Sequence, residues 1–162
     1  MGCVKQGIHD EQSAATAAEQ IQRRSLEITK GVDDSLIVAA EIPPGLDLLI
    51  GAVGVPGVGH MLVVGPGGVA TEISQGHKAI FGPLTHTQAH EFLMSTSLRP
   101  HFEGFRGQQP ADINAVIKVL TTLSEIYNSD PHVLEIEINP LRLTNDRSIA
   151  LDALITRTAN SQ

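Results

Sequence analysis

Four oxygen-bearing side chains near the C-terminal end set the first chemical possibility. Glu135, Glu137 and Asn139 fall at i, i+2 and i+4 of VLEIEIN, so an extended chain projects all three from one face, and Asp152 follows on the returning segment SIALDALI. Oxygen ligands grouped in this way suit a hard cation, most simply Mg²⁺ bridging to phosphate oxygens. The same pattern also describes a solvated, charged strand face that discourages aggregation. A second possibility is Gly65-Pro66-Gly67-Gly68, which lies between two apolar runs and is followed by Glu72. Glycines let backbone N–H groups approach a phosphate closely, and the same residues also make an ordinary hairpin turn. No Gly-Lys-Ser/Thr follows, and a strand rather than a helix comes next, so neither of the two common glycine-rich nucleotide motifs is present. The seven histidines are scattered. Only His86 and His90 have i, i+4 spacing, and no His-Glu-x-x-His exists, which speaks against zinc. Ser25, Ser35 and Ser95 lack the strand-to-helix context of a nucleophile elbow, and Cys3 reads as a free thiol.

Alternating elements position these residues. Residues 11–29 have helical spacing, with Asp10 as N-cap and Gly31 as the stop. SLIVAAE (35–41) reads as a strand, joined by the Pro43-Pro44-Gly45 turn to a second strand, LDLLIGAV (46–53). Strands are expected at 60–65, 69–74 and 78–82. Thr85 and Gln88 have capping-box spacing and open a helix to about Met94. Residues 99–110 have little periodicity and read as loop. In 111–128, Ile113, Val116, Ile117, Leu120, Leu123, Ile126 and Tyr127 form one apolar stripe, the strongest helical signal in the chain. At the end, 133–138 alternates with period two, placing Val133, Glu135 and Glu137 together. Asn139-Pro140 breaks the strand, the chain continues to Thr144, and 148–155 returns. The order predicts an α+β fold, an antiparallel sheet with packed helices.

The 162 residues carry a net charge of −7, with 41% hydrophobic, 18% charged and 3% aromatic residues. That length and balance support one domain or an unequal pair of subdomains, with a packed core built from Ile, Leu, Val and Ala. The acidic balance argues against nucleic acid as a partner. The single Cys excludes a disulfide framework. No apolar run reaches the length of a membrane span, and no signal peptide is expected, so a cytoplasmic location is the default expectation.

The motifs taken together resemble the ATP-grasp domain of the nucleotide-diphosphate-forming acyl-CoA synthetases. Glu137-Ile138-Asn139-Pro140-Leu141 and Ile149-Ala150-Leu151-Asp152-Ala153 are similar to the end of that domain. Gly45 to Gly51 resembles its Gly-x-Glu-x-x-x-Gly strand, with Asp47 for the Glu. Val64 to Gly68 with Glu72 resembles its glycine loop. Pro83-Leu84-Thr85 and Gly104-Phe105-Arg106-Gly107 with Pro110-Ala111-Asp112 match two further segments in order. The resemblance covers nearly the whole chain and assigns 1–157 to a partial ATP-grasp domain (its second subdomain), with 158–162 as a tail. It implies ATP and Mg²⁺ as cofactors and synthesis of acyl-CoA from a carboxylic acid, CoA and ATP. By motif match, Glu137, Asn139 and Asp152 hold the metal. Ile37, Val38 and Glu41 border the adenine, Asp47 faces the nucleotide, and Gly65, Gly67 and Gly68 line the phosphates.

The departures bear on function. The family's His-Lys pair and first ATP-grasp subdomain have no counterpart here, and Asp47 is shorter than the usual Glu. Val55 stands where Asp is frequent, Ala39 and Glu41 where Gln and Met are usual, and Gly76 and Ile80 where Asp and Arg are expected. Lys5 and Lys78 are the only lysines near the motifs, so Mg²⁺ alone is expected to offset a triphosphate, with no Lys or Arg beside it. Two functions stay open: the ATP-binding part of a ligase that is inactive alone, or a degenerate, non-catalytic interaction subunit. No residue is assigned a catalytic role. The expected partners are a CoA-binding subunit or the missing ATP-grasp lobe, and a half-domain exposing an apolar face also predicts self-association.

Overall fold

The structure is a computed structural model that describes residues 3–30, 35–68, 76–105, 107 and 109–158. The strand expected over 69–74 with Glu72, the turn at Asp33-Asp34, the stop at Gly31, Arg106 and the tail beyond 158 lie outside the described residues. The chain forms two compact units, residues 1–43 and 44–162.

In the first unit, α1 spans Glu11–Thr29. Asp10 caps it: its carboxylate accepts from the Ser13 N–H at 2.7 Å, and the Ser13 hydroxyl stands 3.3 Å from the Asp10 N–H. These reciprocal bonds satisfy donors that the first helical turn leaves without partners. The helix ends at Lys30, in the left-handed region with φ 55°. Residues 35–45 form no strand, contrary to the expectation for 35–41. Ile37 and Val38 are 93% and 96% exposed. The strand expected at 46–53 already has hydrogen-bonded neighbours on both edges. Pro43 and Pro44 have no N–H to offer a ladder.

The second unit is one antiparallel sheet with helices on one face. β1 (Leu46–Val55), β2 (Gly59–Pro66), β3 (Lys78–Phe81), β4 (Val133–Leu143), β5 (Ser148–Ala150) and β6 (Ala153–Arg157) form it. The strand order is β3-β2-β1-β4, and the far edge of β4 pairs with β5 and β6 in turn. α2 (His86–Met94), α3 (Arg99–Glu103) and α4 (Ile113–Ser129) complete the unit. Leu48, Ile50 and Ala52 of β1 and Leu62 and Val64 of β2 are buried, as are Val116, Ile117, Leu120 and Leu123 of α4. Full burial contributes about 1.5–3 kcal/mol for each large aliphatic side chain. Ile126, assigned to the same stripe, is exposed. No described helix is long and apolar enough to cross a membrane.

Local signals set the helix ends. Thr85 and Gln88 close a capping box on α2. Asp112 caps α4, accepting from the N–H groups of Asn114 at 2.9 Å and Ala115 at 3.3 Å. Asp112→Ala is expected to lower stability by about 1 kcal/mol, measurable as a shift in the urea midpoint at unchanged slope. Residues 99–103, expected as loop, form α3, whose start accommodates Pro100 in the first turn.

β4 departs from the sequence reading twice. Asn139-Pro140, joined by a cis peptide bond, does not end the strand. The register against β1 instead shifts, from Leu48↔Leu141 to Ile50↔Ile138, so β4 carries one extra residue there. A bulge of this kind inverts which side chains face the core. Before it, Ile136 is buried and Glu137 is not; after it, Leu141 and Leu143 are buried and Arg142 is not. A second shift between Val133 and Glu135 buries Val133, so it does not share a face with the two glutamates as expected. The return strand expected over 148–155 is split into β5 and β6, and Leu151-Asp152 lies between them.

Candidate functional site

The sheet face opposite the helices carries the odd-numbered side chains of β1. Asp47 stands at one end, followed by Leu49, Gly51 and Val53. A concavity of about 260 Å³ lies on this face, lined by Leu49, Val53, Val63 and His77, with Glu135 and Glu137 along one side. His77 Nε2 lies 3.2 Å from the Pro66 carbonyl oxygen. Apolar walls with a few polar groups at one side are what a heteroaromatic ligand with a charged tail requires.

The polar groups converge at the Asp47 end, where β2 runs into Gly67 and Gly68. The Gly67 N–H donates to the Asp47 carbonyl at 2.9 Å. The Gly68 N–H donates to Asn139 Oδ1 at 3.0 Å, and Asn139 Nδ2 donates to Glu137 Oε1 at 3.4 Å. Gly68 has φ +64°, and a Cβ there would sit 3.3 Å from Asp47 Oδ2. The turn therefore lies directly over the Asp47 carboxylate with no side chain between them. Arg142, opposite Asp47 across β1 and β4, grips that carboxylate with two bonds, Nε to Oδ1 at 2.7 Å and Nη2 to Oδ2 at 2.8 Å. Both side chains are about three-quarters buried.

Asp152 is brought beside Asn139 through the backbone. The Asn139 N–H donates to the Asp152 carbonyl at 3.1 Å, and the Leu151 N–H donates to the Pro140 carbonyl at 2.9 Å. The break between β5 and β6 thus faces the bulge of β4. One Asp152 carboxylate oxygen accepts from the Ala153 N–H at 2.8 Å. Among the described residues no group of three or more His, Cys, Asp or Glu side chains is placed to hold a metal. The donors that stand together here are the Glu137 carboxylate and the Asn139 amide, and Asp152 is tied to Asn139 by its backbone carbonyl. All are hard oxygen donors, and an amide oxygen that accepts one N–H keeps a second lone pair. That set fits Mg²⁺, which takes one or two carboxylates and completes its octahedron with phosphate oxygens and water.

Of the residues singled out in the sequence, Asp47, Gly67, Gly68, Glu137 and Asn139 come together at one end of one sheet face. Gly65 lies on β2 just before the turn. Ile37, Val38 and Glu41 belong to the first unit, where the Glu41 carboxylate accepts from the Gly7 N–H. Two residues were missed. His77 gave no signal, being one of several scattered histidines. Arg142 lies 95 positions from its partner Asp47. Its presence corrects the expectation that no Lys or Arg stands beside the carboxylates. Lys78 is not that cation, since its ammonium donates to the Ser95 carbonyl at the end of α2.

Comparison with known proteins gives a consistent picture. A family model described as the ATP-grasp domain matches residues 1–156. The chain is 30% identical over 110 residues to an ADP-forming acetate–CoA ligase I of Archaeoglobus fulgidus, covering 68% of this chain and 16% of that protein. It is 28% identical over 153 residues to the beta subunit of the ADP-forming acetate–CoA ligase I of Pyrococcus furiosus, covering 94% of this chain and 66% of that subunit. The chain therefore spans about a sixth of the first relative and just under two thirds of the second. Its fold matches an acetyl-coenzyme A synthetase 1 of Ca. Korarchaeum cryptofilum, solved with coenzyme A and Mg-AMPPCP. That match has a TM-score of 0.77 at 24% identity and covers 95% of this chain and 67% of that one.

Proposed function

This chain belongs to the ATP-grasp domain family, and from that premise we propose that it binds Mg-ATP as part of a nucleotide-diphosphate-forming acyl-CoA synthetase. The reaction of the assembled enzyme is acid–thiol ligation: a carboxylic acid, CoA and ATP give acyl-CoA, ADP and phosphate. The convergence of Gly67, Gly68, Asn139 and Glu137 beside Asp47 carries this reading, because a polyphosphate needs close backbone approach and hard oxygen ligands at one place. The names of the Archaeoglobus and Pyrococcus relatives support the reaction class.

In this reading the apolar floor of Leu49, Val53 and Val63 takes the base, and Gly65, Gly67 and Gly68 border the phosphates. Asp47 lies at the phosphate end. Glu137, Asn139 and Asp152 hold Mg²⁺, which offsets phosphate charge when bound. A CoA-binding subunit or the other ATP-grasp lobe is the partner this reading expects. Phe81 and Leu154, exposed on the strands at the two sides of the sheet, support burial against another lobe or a second copy. A cytoplasmic location accompanies such an enzyme.

Two measurements test this. The isolated chain is expected to show no acyl-CoA synthetase activity in a coupled assay of ADP release with acetate and CoA; normal turnover would overturn the division of labour. Calorimetric titration is expected to give micromolar Mg-ATP binding, weakened at least about tenfold by the double substitution Asn139→Ala/Asp152→Ala. If wild type binds no nucleotide, the non-catalytic interaction subunit is the better reading. The two hydrogen bonds that tie the Asn139 amide to Gly68 and Glu137 are the observation that favours it.

A further inference from the structure

We propose that Arg142 is the polyphosphate-contacting cation of this site, and that Asp47 positions it rather than touching the nucleotide itself. The inference rests on the nucleotide-binding reading above and goes beyond it by naming the group that receives the phosphate charge.

Placement comes first. Were β4 regular, Arg142 would share a face with Ile136 and Ile138 and point among the helices. The extra residue at Asn139-Pro140 turns it to the opposite face, opposite Asp47 and on the side of Glu137. The Gly67–Gly68 turn lies over the same carboxylate, so whatever approaches that turn approaches the guanidinium.

Orientation comes second. A guanidinium has five N–H donors in a rigid plane. Asp47 engages two of them, one on Nε and one on Nη2, so three remain for an anion. The bond to Asp47 also raises the pKa of Arg142 above its ordinary value. An arginine held by a two-pronged bond has little rotamer freedom left to lose when a ligand binds.

Charge comes third. The carboxylates of Asp47 and Glu137 flank the Gly68–Asn139 contact, a poor setting for a triphosphate unless a cation stands beside them. The other cations among the described residues of this unit are placed elsewhere. Lys78 donates to the Ser95 carbonyl, Arg99 pairs with Glu103, Arg157 with Asp130 and Arg147 with Asp146. Lys118 is exposed on α4. Arg142 is the cation among the described residues that the sheet brings to the glycine turn.

The experiment is calorimetric titration of the 162-residue chain with Mg-ATP and, separately, with adenosine, which carries the base and sugar but no phosphate. Arg142→Gln is expected to weaken Mg-ATP by about ten- to a hundredfold, the range for losing hydrogen bonds to a charged group, and to leave adenosine unchanged. Arg142→Lys keeps the charge but not the planar fork. It should weaken Mg-ATP less, again with adenosine unchanged, and it serves if the glutamine variant does not fold. Asp47→Asn should weaken Mg-ATP alone, and Asp47→Glu should restore part of the loss. If wild type binds Mg-ATP and Arg142→Gln binds it equally well, the inference fails and the nucleotide reading stands. Equal losses for Mg-ATP and adenosine overturn it too, because the role is then structural. No Mg-ATP binding by wild type overturns both.

Discussion

Gly67→Ala is expected to lower folding stability by about 2–4 kcal/mol and to abolish measurable Mg-ATP binding. A Cβ at this position would lie 2.3 Å from the Leu48 carbonyl carbon, 2.5 Å from its oxygen and 2.8 Å from the Leu49 nitrogen. All three are backbone atoms of β1, the strand held by hydrogen bonds on both edges, so they cannot yield as the end of a flexible side chain would. The turn has to lift instead. Lifting breaks the bond from the Gly67 N–H to the Asp47 carbonyl and the bond from the Gly68 N–H to Asn139. Each is worth about 1 kcal/mol net, and residual strain supplies the rest. Urea unfolding reads the stability, and calorimetry reads the binding. The helical layer lies on the other face, so the variant should still unfold cooperatively with a far-ultraviolet spectrum close to wild type. A variant that binds Mg-ATP normally would show that the turn is only a strand connection.

The contrast between Asp47–Arg142 and the helix caps marks what a sequence of this kind discloses. Asp10 with Ser13, Thr85 with Gln88 and Asp112 with its two amides are contacts between residues at most three apart, so spacing alone announces them. The stripe on α4 is legible for the same reason, because burial follows the helical period. The Glu137 to Leu141 segment of β4 stands out in the sequence as a motif, and in the structure its Asn139 bonds both Gly68 and Glu137. Arg142 is invisible by these means. Its face depends on a one-residue bulge, and its partner is chosen by strand order, which no local pattern encodes. Residues 35–41 fail in the opposite direction. Their composition suits a strand, but a strand needs a free edge to pair with, and β1 offers none.

Acidification is expected to destabilise the second unit through His60, which packs on the helix side of the sheet. The residue is 1% exposed; its Nε2 lies 2.7 Å from the Ser124 hydroxyl oxygen, and its ring is 4.8 Å from that of Tyr127. Burial pushes its pKa below the ordinary 6.5. The folded protein therefore keeps His60 neutral at a pH where the unfolded chain already takes up the proton. From about pH 6.5 downward the unfolded state binds the extra proton, so stability falls with pH, no more steeply than about 1.4 kcal/mol per unit for one group. The loss levels off once the folded-state pKa is passed. Asp10 and Asp146 act in a lower window. Their pKa values lie below 3.8, drawn down by bonds from Ser13 and from the Thr144 hydroxyl respectively. Their contribution is present above that range and disappears as pH falls through it. His60→Leu fills the same space without a titrating group, and its urea midpoint should lose the fall below about pH 6.5 that is expected of wild type. Ser124→Ala leaves the buried imidazole nitrogen without its partner and should lower stability at pH 7.5 by about 1–3 kcal/mol. Parallel pH profiles for wild type and His60→Leu would show that the proton goes elsewhere.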